Sequence, residues 1–338
     1  MRVAVDVMGG DHAPQAILKG CWEAMEFLGP DDKVILVGDH QVIADGLAAS
    51  GLTDAQKAHY LTVATTQVIE MDDPPVEAIR SKPDSSISVM CKLASKGEAD
   101  VVLSAGNTGA CVAASQLRMR LLPGVSRPGI AVVVPTFHGP VVVCDVGANI
   151  QPKAKHLQQY AIMAGAYASC VAEIENPRVG LLSIGEEDTK GTTIIKEVRK
   201  LLRDEQQVNF VGNIEGRDIF RGVVDVVICD GFVGNIVLKL AEGMAEGLFQ
   251  EIISELEKQP AMLEQFKPIM KGLLKRHDWQ EYGGAPLLGV GAYSLICHGR
   301  SGSKAIKNAI RVGKQLTMSK VNERIVEQIA KSIPVSEE

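Results

Sequence analysis

The chain has 338 residues, 46% hydrophobic and 22% charged, with 35 Lys and Arg against 41 Asp and Glu for a formal net charge of −6. Such a chain can bury a large core, and its acidic balance excludes a generally basic nucleic-acid binder. No apolar run approaches the ~18 residues of a membrane span, and the opening MRVAVDVMGGDHAP turns polar too early for a secretory signal, so a cytoplasmic protein is expected.

Taken in chain order, short β-branched runs predict strands over 3–7, 33–37, 101–104, 130–135, 141–145, 179–184, 208–212 and 223–229. Helical periodicity predicts helices over 15–27, 108–121, 155–173, 192–204, 234–257, 303–317 and 319–332. Strands that are apolar on both faces and alternate with helices predict a three-layer α/β/α sandwich around a mostly parallel sheet. Nothing of linker composition divides the chain, so residues 1–338 read as one α/β domain. The seven cysteines include no CxxC and fall mostly in apolar runs, as free thiols do in a reducing compartment.

In such sheets ligands bind in the loops after the strands, and several of these loops are unusual. After the first strand come Asp6, Gly9, Gly10 and Asp11, either a tight turn capped by Asp11 or a ligand loop. The second strand-end loop, Ser104, Gly106, Asn107 and Thr108, places hydroxyls and open backbone at a helix start, a ready anion site as well as a simple N-cap. CDVGANIQPK brings Asp145 and Asn149 to the sheet edge. SIGEEDTKGT offers Lys190 as a phosphate partner or as a solvated ion-pair partner among acids. CDGFVGNIVLK ends a strand at Asp230 and opens a helix on which Asn235 and Lys239 share a face. Near the C-terminus His298, Arg300 and Ser301 sit in a Gly-flanked loop before a helix.

Other chemistries lack their signatures. The histidines are isolated, and there is no HExxH, zinc-spaced Cys/His cluster, GxSxG elbow, GxGxxG or Walker motif. Neither a metal nor a cofactor is expected. What remains, amides, Asn, Ser and a few cations around one sheet edge, suits a site that positions an oxyanion.

The ordered set DVMGGDHAP, LSAGNTGA, CDVGAN, DGFVGNIVLK, GAPLLGV and HGRS resembles, end to end, the phosphate acyltransferases of bacterial phospholipid synthesis, the PlsX family. The resemblance implies a homodimer with a fold like that of isopropylmalate dehydrogenase and phosphotransacetylase. It implies transfer of a long fatty acyl group from acyl-[acyl-carrier protein] to inorganic phosphate, with the acyl phosphate passing to a membrane glycerol-3-phosphate acyltransferase. For that chemistry the Ser104–Thr108 loop is the expected phosphate site, assisted by Lys190 or Arg300. Asn235 and Asn149 are candidate oxyanion donors, and His298 is a candidate proton donor to the thiolate. Asp230, Lys239 and Ser301 complete the expected substrate contacts.

Residues 248–279 form a candidate amphipathic helical excursion. Phe266, Met270, Leu273 and Leu274 recur at helical spacing among Lys267, Lys271 and Lys275, with Pro268 expected to kink or end the helix. Such a face suits an anionic membrane surface or an acidic carrier protein, and equally a helical hairpin packed on the body. The competing functions are an acyl-CoA-dependent phosphotransacylase, an NAD-dependent dehydrogenase, and a non-catalytic scaffold for the carrier protein.

Overall fold

A computed structural model describes residues 1–258 and 260–332, without the side chains of residues 260, 261, 274, 275, 277 and 279. Eleven strands among the described residues join one sheet: β1 (Arg2–Asp6), β2 (Lys33–Gly38), β3 (Tyr60–Ala64), β4 (Val101–Ser104), β5 (Gly129–Thr136), β6 (Gly139–Cys144), β7 (Arg178–Leu182), β8 (Asn209–Ile214), β9 (Val226–Ile228), β10 (Ala285–Leu288) and β11 (Tyr293–Ile296). The helices are α1 (Gln15–Glu23), α2 (His40–Ala49), α3 (Asp54–Lys57), α4 (Pro75–Ser81), α5 (Ser86–Ser95), α6 (Thr108–Ala114), α7 (Ala154–Val171), α8 (Thr193–Asp204), α9 (Gly231–Glu257), α10 (Pro260–His277), α11 (Ser303–Met318) and α12 (Val321–Lys331).

The alternation of side chains along each strand feeds two cores, one on either face of the sheet. Val3, Val5, Leu36 and Leu103 pack with Ile17 of α1, Tyr160 of α7, Val198 of α8 and Ile310 of α11. Ala4, Val37, Val102 and Val143 pack on the other face with Ile79 of α4, Met90 of α5, Cys111 of α6 and Leu238 of α9. This is the α/β/α layering expected.

The sheet order is β3-β2-β1-β4-β11-β10-β5-β6-β9-β7-β8. The first five strands run parallel to one another, as do the last four. Three antiparallel pairings between them reverse the direction of the second set. β10 pairs with the end of β11 through Ala285 and Pro286, then with the start of β5 through Leu287 and Leu288. The two parallel sets are therefore staggered, and their carboxyl ends face each other across the middle of the sheet. This corrects the expectation of a single sheet edge: the loops after β1, β4 and β11 meet those after β6 and β9 across a cleft.

Candidate active site

The first wall of the cleft is built on a buried carboxylate. Asp6 ends β1 and accepts from the amides of Met8 and Gly9, both at 3.1 Å, and from the Ser104 hydroxyl at 2.7 Å. Burial raises its pKa, against the hydrogen bonds from Ser86, Ser104 and the two amides. A Cβ on Gly9 would lie 2.3 Å from Asp6 Oδ2 and 2.9 Å from the Gly106 amide nitrogen, so glycine is what lets the two loops touch. Gly10 has φ +114°, and the Asp11 amide donates to the Gly299 carbonyl at 2.8 Å, which ties in the loop after β11.

Two residues expected to bind phosphate are engaged elsewhere. The Ser104 hydroxyl also accepts from the Gly106 amide at 3.0 Å. Asn107 caps α6 by accepting from the Ala110 amide at 2.9 Å, while its Nδ2 donates to the carbonyls of Glu70, Met71 and Asp73. Both are buried, and the exposed member of the loop is Thr108.

The opposite wall repeats the device. Asp145, fully buried after β6, accepts from the amides of Ile130, Gly147, Ala148 and Asn149 at 2.7–3.2 Å, and burial raises its pKa against those four bonds. The Asn149 amide donates inward, to the Pro128 carbonyl and the Tyr160 hydroxyl, each at 2.7 Å. Asp230 caps α9 through the Val233 amide at 2.9 Å, and the Gly231 amide donates to the Asn149 carbonyl at 2.8 Å. A Cβ on Gly234 would fall 1.9 Å from the Asp145 carbonyl oxygen, so the first turn of α9 is pressed onto this loop.

Between the walls opens a cavity of about 1370 Å³. Thr108, Asn235, Lys239 and His298 line it where the strand ends meet. Beyond them its lining is mainly apolar, including Val132, Val134, Phe220, Leu238, Ala245 and Phe249. His298 Nδ1 accepts from the Arg300 amide at 3.2 Å, which leaves Nε2 as the protonated nitrogen of the neutral ring. Burial lowers its pKa below the usual histidine range, with Glu242 opposing and Lys239 and Arg300 reinforcing the shift.

Around this centre the remaining residues take other places. Arg300 faces Glu246 at 4.0 Å, and Lys304 pairs with Asp278 and Glu281, each at 2.8 Å. Ser301 is 1% exposed, and its hydroxyl has no partner among the described residues. Lys190 is exposed in the loop after β7 and is not brought to this cavity, because β9 stands between β7 and β6. Sequence reasoning missed the apolar depth of the cavity and the segment Gln280–Ala285 that walls it.

The helical excursion differs from its expected form. α10 runs through Pro268, so the second of the two outcomes expected of this proline, an end to the helix, does not occur. Met270, 8% exposed, and Leu273, in the cavity wall, anchor it to the body against the lost hydrogen bond. These two residues therefore do not offer an outer surface, whereas Phe266 and Ile269 are 41% and 57% exposed beside the exposed Lys267, and Lys271 lines the cavity with Leu273. The side chains of Leu274 and Lys275 lie outside the described residues.

A staggered sheet with loops of both halves converging on a cleft is an architecture shared with phosphotransacetylases. The Streptococcus pyogenes phosphotransacetylase superposes with a TM-score of 0.62 at 16% identity, covering 96% of this chain and 94% of that one. The EutD phosphotransacetylase of Staphylococcus aureus gives 0.60 at 13% identity, covering 96% and 94%. The sequence places the chain within that architecture. It matches the family described as "Fatty acid synthesis protein" over residues 1–324. It is 46% identical over 338 residues to the phosphate acyltransferase of Desulfitobacterium hafniense (strain DSM 10664 / DCB-2), covering 99% of this chain and 98% of that protein. With that of Heliobacterium modesticaldum it shares 47% over 320 residues, 93% of each. The chain belongs to this family, that of the phosphate acyltransferases, and is a transferase.

Proposed function

We propose that the chain transfers a long-chain acyl group from acyl-[acyl-carrier protein] to inorganic phosphate, releasing acyl phosphate for a membrane glycerol-3-phosphate acyltransferase. The observation that carries this reading is one cavity with a polar, partly cationic mouth and an apolar interior. The mouth suits phosphate and a thioester carbonyl. The interior suits a hydrocarbon chain, whose burial is worth about 0.8 kcal/mol per methylene.

In this reading phosphate sits at Thr108, where the start of α6 and the Lys239 ammonium favour an anion. A phosphate oxygen attacks the thioester carbonyl carbon. The tetrahedral oxyanion is met by the Asn235 amide and the His298 Nε2–H, and collapse breaks the C–S bond. The departing thiolate takes a proton from solvent, and the neutral His298 keeps its Nε2–H throughout. Positioning supplies much of the acceleration, since phosphate is already nucleophilic at neutral pH. Ser104, Asn107, Asn149 and Asp230 act as positioning residues that hold the loops, while Arg300 stands beside the cavity wall, facing Glu246.

The whole chain acts as one catalytic unit, in the cytoplasm and as a homodimer. On α9, Phe232, Ile236 and Leu240 recur every four residues and are 59%, 49% and 60% exposed, a stripe that a second copy would cover. The outer face of α10, with Phe266, Ile269 and Lys267, suits peripheral contact with an anionic membrane.

Thr108→Val and Lys239→Ala should each raise the KM for phosphate about tenfold while leaving the KM for the acyl donor within about twofold. Steady-state kinetics with phosphate varied checks this, and unchanged phosphate constants in both variants would remove phosphate from this position.

A further inference from the structure

We infer that Phe220 sets the longest acyl chain the cavity accepts, an inference that rests on the acyl-binding reading above. The cavity follows β5 from Ile130, at the cleft, to Thr136 at the outer end of the sheet. Six residue steps of a strand at about 3.3 Å each span about 20 Å. A sixteen-carbon chain with every torsion at 180° is roughly 20 Å long. The cavity therefore runs out at about the length of a palmitoyl chain.

Phe220 stands near that outer end. It closes a short 3-10 helix, Gly216–Phe220, whose chain continues over the β5–β6 turn, where a Cβ on Gly222 would come within 2.6 Å of His138 Cβ. A second, much smaller void of about 10 Å³ lies beyond it, lined by Val143, Ile219 and Val237. Val134, Phe220, Leu238 and Ala241 line both spaces and so form the partition between them. Phe220 is the largest of the four and the only one outside the sheet and α9, so its truncation joins the spaces while the strand and the helix that frame the cavity stay in place.

The test is kcat/KM for acyl-[acyl-carrier protein] with chains of twelve, sixteen and twenty carbons, measured on the wild type and on Phe220→Ala. The wild type should favour sixteen over twenty carbons. The twenty-to-sixteen ratio should rise about tenfold in Phe220→Ala, as expected for two further methylenes gaining apolar contact. Phe220→Leu, a smaller change to the packing, should move the ratio the same way by a few-fold and serves if the alanine variant does not fold. An unchanged ratio in a folded, active variant overturns the inference alone. Absence of acyl phosphate from the wild type at every chain length overturns the inference together with the reading on which it rests.

Discussion

Two aspartates, Asp6 and Asp145, organise the cleft without facing the reaction. Each ends a strand, is buried, and gathers backbone amides from the loop that follows. Removing such a carboxylate leaves buried donors unpaired, which costs more than the net worth of the bonds themselves. Asp145→Ala, which orphans four amides at once, should lower stability by about 3 kcal/mol in urea unfolding. A loss under about 1 kcal/mol would mean that the loop is held from elsewhere. The same residues show why the site is only partly legible in sequence. Small polar residues after a strand are right for caps and for ligands alike, and which way Asn107 or Asn149 points depends on the carbonyls of Glu70, Met71, Asp73 and Pro128, which come from elsewhere in the chain. Thr108 and His298 come from loops that the pattern singled out. Lys190 does not reach them because strand order, which no local pattern encodes, sets β7 apart.

At the scale of elements, the two parallel sets open with the same clamp. Arg2 at the start of β1 holds Asp100 through its backbone amide, Nε and a terminal guanidinium nitrogen. Arg178 at the start of β7 holds Asp225 in the same way, at 2.8, 3.0 and 2.9 Å. Each aspartate directly precedes the strand paired with its arginine's own. Partial burial would raise the pKa of Asp225, but the Arg178 bonds prevail and hold it below the ordinary carboxylate range. The folded chain thus binds fewer protons there than the unfolded one, so the contribution is present above about pH 4 and is lost as pH falls below it. Because Arg178 is 44% exposed, the clamp is worth only about 1 kcal/mol. Asp225→Asn should cost that much at pH 7 and clearly less at pH 3, read from chemical unfolding at both; an equal cost at the two values would show that charge is not involved.

The whole molecule explains which expectations held. Strands buried on both faces, such as Val101–Ser104, mark themselves by continuous apolar runs, and the α/β layering follows from them. β10 and β11 are four residues each among Gly and Pro and carry no strong local signal, yet they turn the second parallel set around and create the cleft. The hairpin of α9 and α10 then divides its residues between the cavity and the outer surface. Phe266→Glu with Ile269→Glu should abolish flotation with anionic liposomes while leaving soluble turnover intact, whereas retained flotation would place membrane contact elsewhere.

The central claim is the reaction itself, and the most direct measurement is mass spectrometry of the products formed from phosphate with palmitoyl-[acyl-carrier protein] or, separately, palmitoyl-CoA. Palmitoyl phosphate and free carrier protein from the first donor, with little from the second, is the predicted result. Product from palmitoyl-CoA alone would make the enzyme a CoA-dependent phosphotransacylase, and product from neither would contradict acyl transfer to phosphate at this site.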